Sequence, residues 1–144
     1  MAGLIRGAAS AIALLALTAG LAVGGYARGP SPDRTPPTFA GLKSATACIP
    51  GPIDGQTASY RLDWDQAKDD VTPSTQIVYE IYQATKPGGE DFSSATYTTR
   101  HGATTFTTPP LPADQSFYFV VRARDRAGNL DSNQVERAGV NICV

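Results

Sequence analysis

Apolar residues recur at every second position through much of this chain. In "ASYRLDWD", Ala58, Tyr60, Leu62 and Trp64 alternate with Ser59, Arg61, Asp63 and Asp65. In "QIVYEIYQ", Ile77, Tyr79 and Ile81 share one side, with Val78, Glu80 and Tyr82 on the other. "SFYFVVRARDRAGN" sets Phe117, Phe119, Val121 and Ala123 against Tyr118, Val120 and Arg122, and "TTFTT" is a short Thr-rich run about Phe106. A period of two marks strands that turn one face to a core. Each run ends in strong breakers: "PGPIDG", "KDDVTPS", "KPGGED", "RHGA", "LPAD" and "DRAGN". Roughly seven short strands at this spacing predict an all-β, antiparallel, immunoglobulin-like sandwich.

The first 27 residues are patterned differently. Arg6 precedes a run without charge from Gly7 to Ala27, ending in the small-residue site Gly25-Tyr26-Ala27. A basic start, an apolar stretch and a small-x-small end predict a secretory signal peptide over residues 1–27. The alternative is an uncleaved anchor through residues 7–25, although Ala and Gly make it a weak membrane span. "RGPSPDRTPP" follows, and its Pro-rich polar composition predicts an extended linker over residues 28–35. Residues 36–144 then form the one domain that a chain of 144 residues has room for.

Composition narrows the partners. A formal net charge of -1 gives no basic footprint for nucleic acid. The 14 Gly and 11 Pro favour turns over long helices. Only Cys48 and Cys143 are present, and an oxidising compartment allows them one intramolecular pairing. Structural zinc wants four Cys or His ligands, and the chain has a single histidine.

"TPPTFAGL", "YRLDWDQAKDDVTP", "QIVYEIYQATKPGG" and "LPADQSFYFVVRARDRAGN" together resemble a fibronectin type III domain of the bacterial secreted kind, from about Pro36 to Val144. The resemblance rests on the Pro-Pro entry, Trp64, Tyr79-x-Ile81 and the run from Leu111 to Ala123. One departure is Phe117, which stands where the family has a tyrosine tying a corner through its hydroxyl, a bond worth about 1 kcal/mol. The resemblance implies that the first and last strands end at one pole, so that a Cys48–Cys143 disulfide staples the chain end. It also implies a non-catalytic, secreted binding or adhesion module without a cofactor, meeting a protein or an extracellular polymer. A membrane is a partner only if the N-terminal segment is retained. An accessory module for carbohydrate enzymes is the second binding option.

Three groups of residues stand out as sites. Val78, Tyr82, Tyr118 and Val120 face outward from the sheet if the alternation holds, and two tyrosines with two valines exceed what solubility needs. An antiparallel pairing that puts Val78 near Arg122, Glu80 near Val120 and Tyr82 near Tyr118 adds Glu80 and Arg122 to that face. Cover by Phe92 or Tyr97 of the following segment is the competing expectation. The loops "DQAKDDVTPST" and "DRAGNLDSN" bring Asp69, Asp70, Asp125 and Asp131 together as weak calcium candidates, beside Lys68, Arg124 and Arg126 that can neutralise them. In the DRAGN turn, Asp125 is expected to cap its own turn with the arginines outside. A small secreted hydrolase built around His101 is the reading from another class, and it lacks a nucleophile elbow in "DFSSAT".

Overall fold

The alternating runs become strands in the computed structural model, which describes residues 31–143. The expectations for the export segment lie outside the described residues. In chain order the strands are β1 (Leu42–Ala47), β2 (Thr57–Ala58), β3 (Arg61–Trp64), β4 (Val78–Ala84), β5 (Tyr97–Thr98), β6 (Thr105–Thr107), β7 (Leu111–Pro112), β8 (Tyr118–Arg124), β9 (Glu136–Ala138) and β10 (Val140–Asn141). A single 3-10 turn, Ser74–Gln76, is the helical element among the described residues.

Two four-stranded sheets, ordered β10-β1-β3-β6 and β5-β4-β8-β9, form a sandwich-like arrangement, with β2 and β7 as a separate pair. Their inner faces carry the residues that the alternation selects. Leu62, Ile77, Tyr79, Ile81, Phe119, Val121 and Ala123 have no exposed surface, and Trp64 is buried with them. Trp64 meets Tyr79 across the sandwich at 5.2 Å between ring centroids. Its indole nitrogen donates to the Ala103 carbonyl at 3.0 Å, which satisfies the one polar atom the ring carries inward. Phe117 keeps its ring in the core, edge-on to Tyr60 at 5.9 Å.

One pairing departs from the antiparallel expectation. β9 pairs antiparallel with β8, whereas β10 runs parallel to β1, with Thr46 opposite Val140 and Ala47 opposite Asn141. The chain changes sheets at Gly139, between these two strands. A Cβ at Gly139 would run into the Tyr60 ring, so the crossing needs a residue without one. Parallel pairing brings the ends of β1 and β10 to the same pole. There Cys48 and Cys143 are disulfide-bonded, with Cα atoms 4.8 Å apart. Asn141 clamps the same junction, since its Oδ1 accepts from the Ile49 amide at 2.9 Å and its Nδ2 donates to the Ile49 carbonyl at 3.2 Å. A bond of this kind persists in an oxidising, extracellular environment. Among the described residues no helix is long and apolar enough to cross a membrane.

Two outcomes test this architecture. Trp64→Ala should cost about 3–5 kcal/mol in denaturant unfolding, the range for large buried aromatics, and a cost below about 1 kcal/mol would place strand β3 in the wrong register. Replacing both cysteines by serine should lower stability by about 2–4 kcal/mol, since the bond closes a long loop. Unchanged urea midpoints on adding reductant would show that the staple contributes nothing.

Candidate functional site

Strands β4 and β8 pair along their whole lengths and supply the outer face on which the sequence placed a binding surface. The faces are as alternation assigns them, but the register differs by two residues. Val78 lies opposite Arg124, Glu80 opposite Arg122, Tyr82 opposite Val120 and Ala84 opposite Tyr118. Alternation fixes which side a residue takes and leaves shifts by two undetermined, so this error moves neighbours without changing faces.

The shift changes who pairs with whom. Glu80 forms its ion pair with Arg124, at 2.5 Å, and not with Arg122. Arg122 instead lies over the Phe92 ring at 3.7 Å and the Tyr82 ring at 5.6 Å. Its Nε donates to the Asn133 carbonyl at 2.9 Å. Tyr82 and Phe92 meet edge-on at 5.1 Å, and the Tyr82 hydroxyl donates to Glu80 Oε2 at 2.5 Å. Burial and the adjoining Glu80 carboxylate raise the Tyr82 phenol to a pKa of about 12.

Two of the expected surface residues are therefore not surface. Tyr82 and Val120 are 2% and 1% exposed, while Val78, Tyr118, Glu80 and Arg122 stay half-buried. The cause is the segment between β4 and β5, which folds back over the sheet. The Gly88 amide donates to Glu136 Oε2 of β9 at 2.6 Å, and Phe92 then comes down on Tyr82 and Arg122. Tyr97 does not join this cover; its ring packs on Phe106 of the other sheet at 5.2 Å. Beside Glu136, burial is the main cause of a raised Glu90 pKa, and the neighbouring carboxylate adds to it.

The loop pole holds the acidic residues. The two loops do lie side by side, joined by a hydrogen bond of 3.3 Å from the Arg126 amide to Thr72 Oγ1. Asp125 caps its turn as expected, accepting from the Asn129 amide at 2.8 Å and from Asn129 Nδ2 at 2.7 Å, with Arg126 exposed outside. Gly128 takes the left-handed conformation this turn requires, at φ 94°.

The expected quartet does not assemble. Asp131 is buried but accepts from the Ala123 and Asn133 amides and from Asn133 Nδ2, so its carboxylate is committed to joining β8 to the following segment. Asp70 is exposed and apart. Asp69 and Asp125 are joined instead by Asp33, and one carboxylate oxygen of each lies within 4.8 Å of the others. Asp33 arrives because the entering chain is pinned beside the β3–β4 loop: Thr38 and Lys68 exchange backbone hydrogen bonds of 2.7 and 3.0 Å. Reading residues 28–35 as a bare linker hid it. His101 is exposed on a turn, in an open depression shared with Gln76 and Arg126, and makes no hydrogen bond among the described residues.

Burial of Tyr82 makes a direct prediction. Tyr82→Ala should cost about 2–4 kcal/mol, and Tyr118→Ala at most about 1 kcal/mol, in parallel urea titrations; equal costs would contradict the cover by Phe92. In an unfolded chain the Tyr82 phenol ionises near its ordinary value of 10.0, below the folded value of about 12. Its contribution is thus complete below pH 10 and lost as pH rises toward 12, so Tyr82→Phe should flatten the alkaline loss of stability. No family model, no curated protein and no solved structure matches this chain.

Proposed function

We propose that the chain is a fibronectin type III-like module, exported by its N-terminal segment, that works as a non-catalytic binding or adhesion unit for a protein or an extracellular polymer. The partition of β1, β3 and β6 into one sheet and β4, β8 and β9 into the other supports the first half of that reading. So does the burial of Trp64, Tyr79, Ile81, Phe119 and Val121 in one core, the residues on which the resemblance rests.

The observation that carries the binding role is the braced outer face of β4 and β8. Arg122 is held by Phe92 and by the Asn133 carbonyl, and Arg124 by Glu80, so both guanidinium groups are fixed before any partner arrives. Preorganised arginines beside partly exposed aromatic rings lose little entropy on contact, which is why such side chains recur at interfaces. Tyr118, Val78 and the Arg124 side chain remain accessible on this face. The contact area is narrower than the four-residue apolar patch expected from the sequence, because Tyr82 and Val120 are buried. Its character is mixed, aromatic and cationic.

The test compares wild type with a Tyr118→Ala, Arg124→Ala double variant in capture of extracellular material from the native source. The expected result is at least a tenfold loss of capture with the folded state retained by circular dichroism. Unimpaired capture by the double variant would remove the sheet face as the contact surface.

A further inference from the structure

We infer that Glu90 and Glu136 hold a proton between their carboxyls, and that this proton latches the segment between β4 and β5 over the sheet, closed in acid and loosened as the pH rises. The segment leaves β4 through the turn Lys86–Gly89, which is closed by a bond of 3.2 Å from the Gly89 amide to the Lys86 carbonyl. That turn brings the Gly88 amide to β9, where Glu136 Oε2 accepts it at 2.6 Å. Glu90 follows and comes against the same Glu136 carboxyl, within hydrogen-bonding reach. Phe92 then lands on Tyr82 and Arg122. The two glutamates thus stand at the joint between the sheet and the residues that cover it.

The second observation is the state of the Glu90 carboxyl. Its Oε1 is closed off from solvent and has no hydrogen-bond partner among the described residues. As part of an anion such an oxygen is costly, because nothing replaces the water it gives up. As part of a neutral carboxyl the cost falls, and the group gains an O–H that needs an acceptor. The Glu136 carboxylate is that acceptor. It already takes the Gly88 amide on Oε2, and a carboxylate has room for more than one donor. Two carboxyls in contact do not both ionise readily, so one proton stays with the pair. Burial is the largest cause that raises the Glu90 pKa above its ordinary 4.5; its own amide opposes the rise, and the Glu136 charge and hydrogen bond add to it.

The cations nearby are engaged elsewhere. Lys86 is exposed and joins no ion pair among the described residues. Arg137, beside Glu136 on β9, turns to the backbone: its Nε donates to the Lys43 carbonyl at 3.1 Å and its Nη1 to the Glu136 carbonyl at 3.0 Å. On β8, Arg122 is held by Phe92 and the Asn133 carbonyl, and Arg124 by Glu80. Asp91 is exposed and accepts from the Ser93 amide at 2.9 Å. The charge that acts on Glu90 is therefore that of Glu136. In the unfolded chain Glu90 ionises near 4.5, below its folded value. The latch is thus complete below pH 4.5 and is lost as the pH rises through the folded value. Above it two anions meet at the joint, the Gly88 contact loosens, and Phe92 is free to lift from the Tyr82 ring and from Arg122. This closure does not depend on what the sheet face binds.

The test follows the isotope-labelled full chain by NMR from about pH 3 to about pH 8. The Glu90 side-chain carboxyl carbon is expected to titrate with a midpoint above 4.5, and the Gly88 amide to shift with that same midpoint. Protection of the Gly88 amide from hydrogen exchange, corrected for the intrinsic pH dependence, should fall about tenfold or more across it. Glu136→Gln keeps an acceptor for Gly88 but removes the charge, so the Glu90 midpoint should drop. Glu90→Gln keeps a donor toward Glu136 and should hold Gly88 protected over the whole range. A wild-type Glu90 midpoint at or below 4.5 would overturn the latch. So would a Gly88 amide that ignores the Glu90 titration, or one that loses protection in Glu90→Gln as it does in wild type. An unchanged Glu90 midpoint in Glu136→Gln would show burial acting alone and remove the shared proton.

Discussion

The contact between Trp64 and Tyr79 holds the rest of the molecule in place. It joins the two sheets through their largest inward side chains, and each ring also reaches a loop through its polar atom. The Trp64 indole donates to the carbonyl of Ala103, and the Tyr79 hydroxyl accepts from the amide of Ala67 at 2.8 Å. Phe39 packs on the same Tyr79 ring at 5.2 Å, so the segment entering β1 is tied to this centre as well. The core therefore does more than exclude water. Its two tips determine where the loops at one pole begin, and hence where Asp33 and Asp69 come to rest.

The outer face follows a different logic, in which charge and aromatic surface stabilise each other. The β4–β8 register puts Glu80 within reach of Arg124, and that leaves Arg122 free to lie under Phe92. Neither contact is strong alone: a half-exposed ion pair contributes about 1 kcal/mol at most, and a cation over a ring about 0.5–2 kcal/mol. Tyr82 links them, through its hydroxyl to Glu80 and its ring to Phe92 and Arg122, so loss of Phe92 would uncover the Tyr82 ring.

Much of the sandwich was legible because alternation is a local property of the chain. Every residue assigned inward on β3, β4 and β8 is buried, from Leu62 to Ala123. What alternation cannot carry is a shift by two, which preserves every face and exchanges every neighbour; the misplaced partners of Glu80 and Tyr82 are of this type. Nor can it say whether an outward face is wet. Tyr82 is dry because a turn-rich segment returns across it, and the trace of that segment in the sequence is one phenylalanine among polar residues. The acidic trio was least legible. Asp69 and Asp125 were expected in one neighbourhood, but Asp33 sits in a stretch whose Pro-rich composition argues for an independent linker. The Thr38–Lys68 bridge that recruits it has no compositional signature.

The covalent closure at the far pole has a mechanical side. With Cys48 bonded to Cys143, residues 49–142 form a side loop that any tension applied at the C-terminal end bypasses. Such a pull enters at Cys143, crosses the sulfur bridge to Cys48 and leaves along β1 toward the N-terminal side. Strands β2 to β10 lie off that path, so stretching cannot pay them out. Only chain outside the closed loop can lengthen, by about 3.3–3.6 Å for each residue drawn straight. Strand β1 thus carries the load for the whole sandwich, and the bridge behind it caps how far the fold can be drawn out.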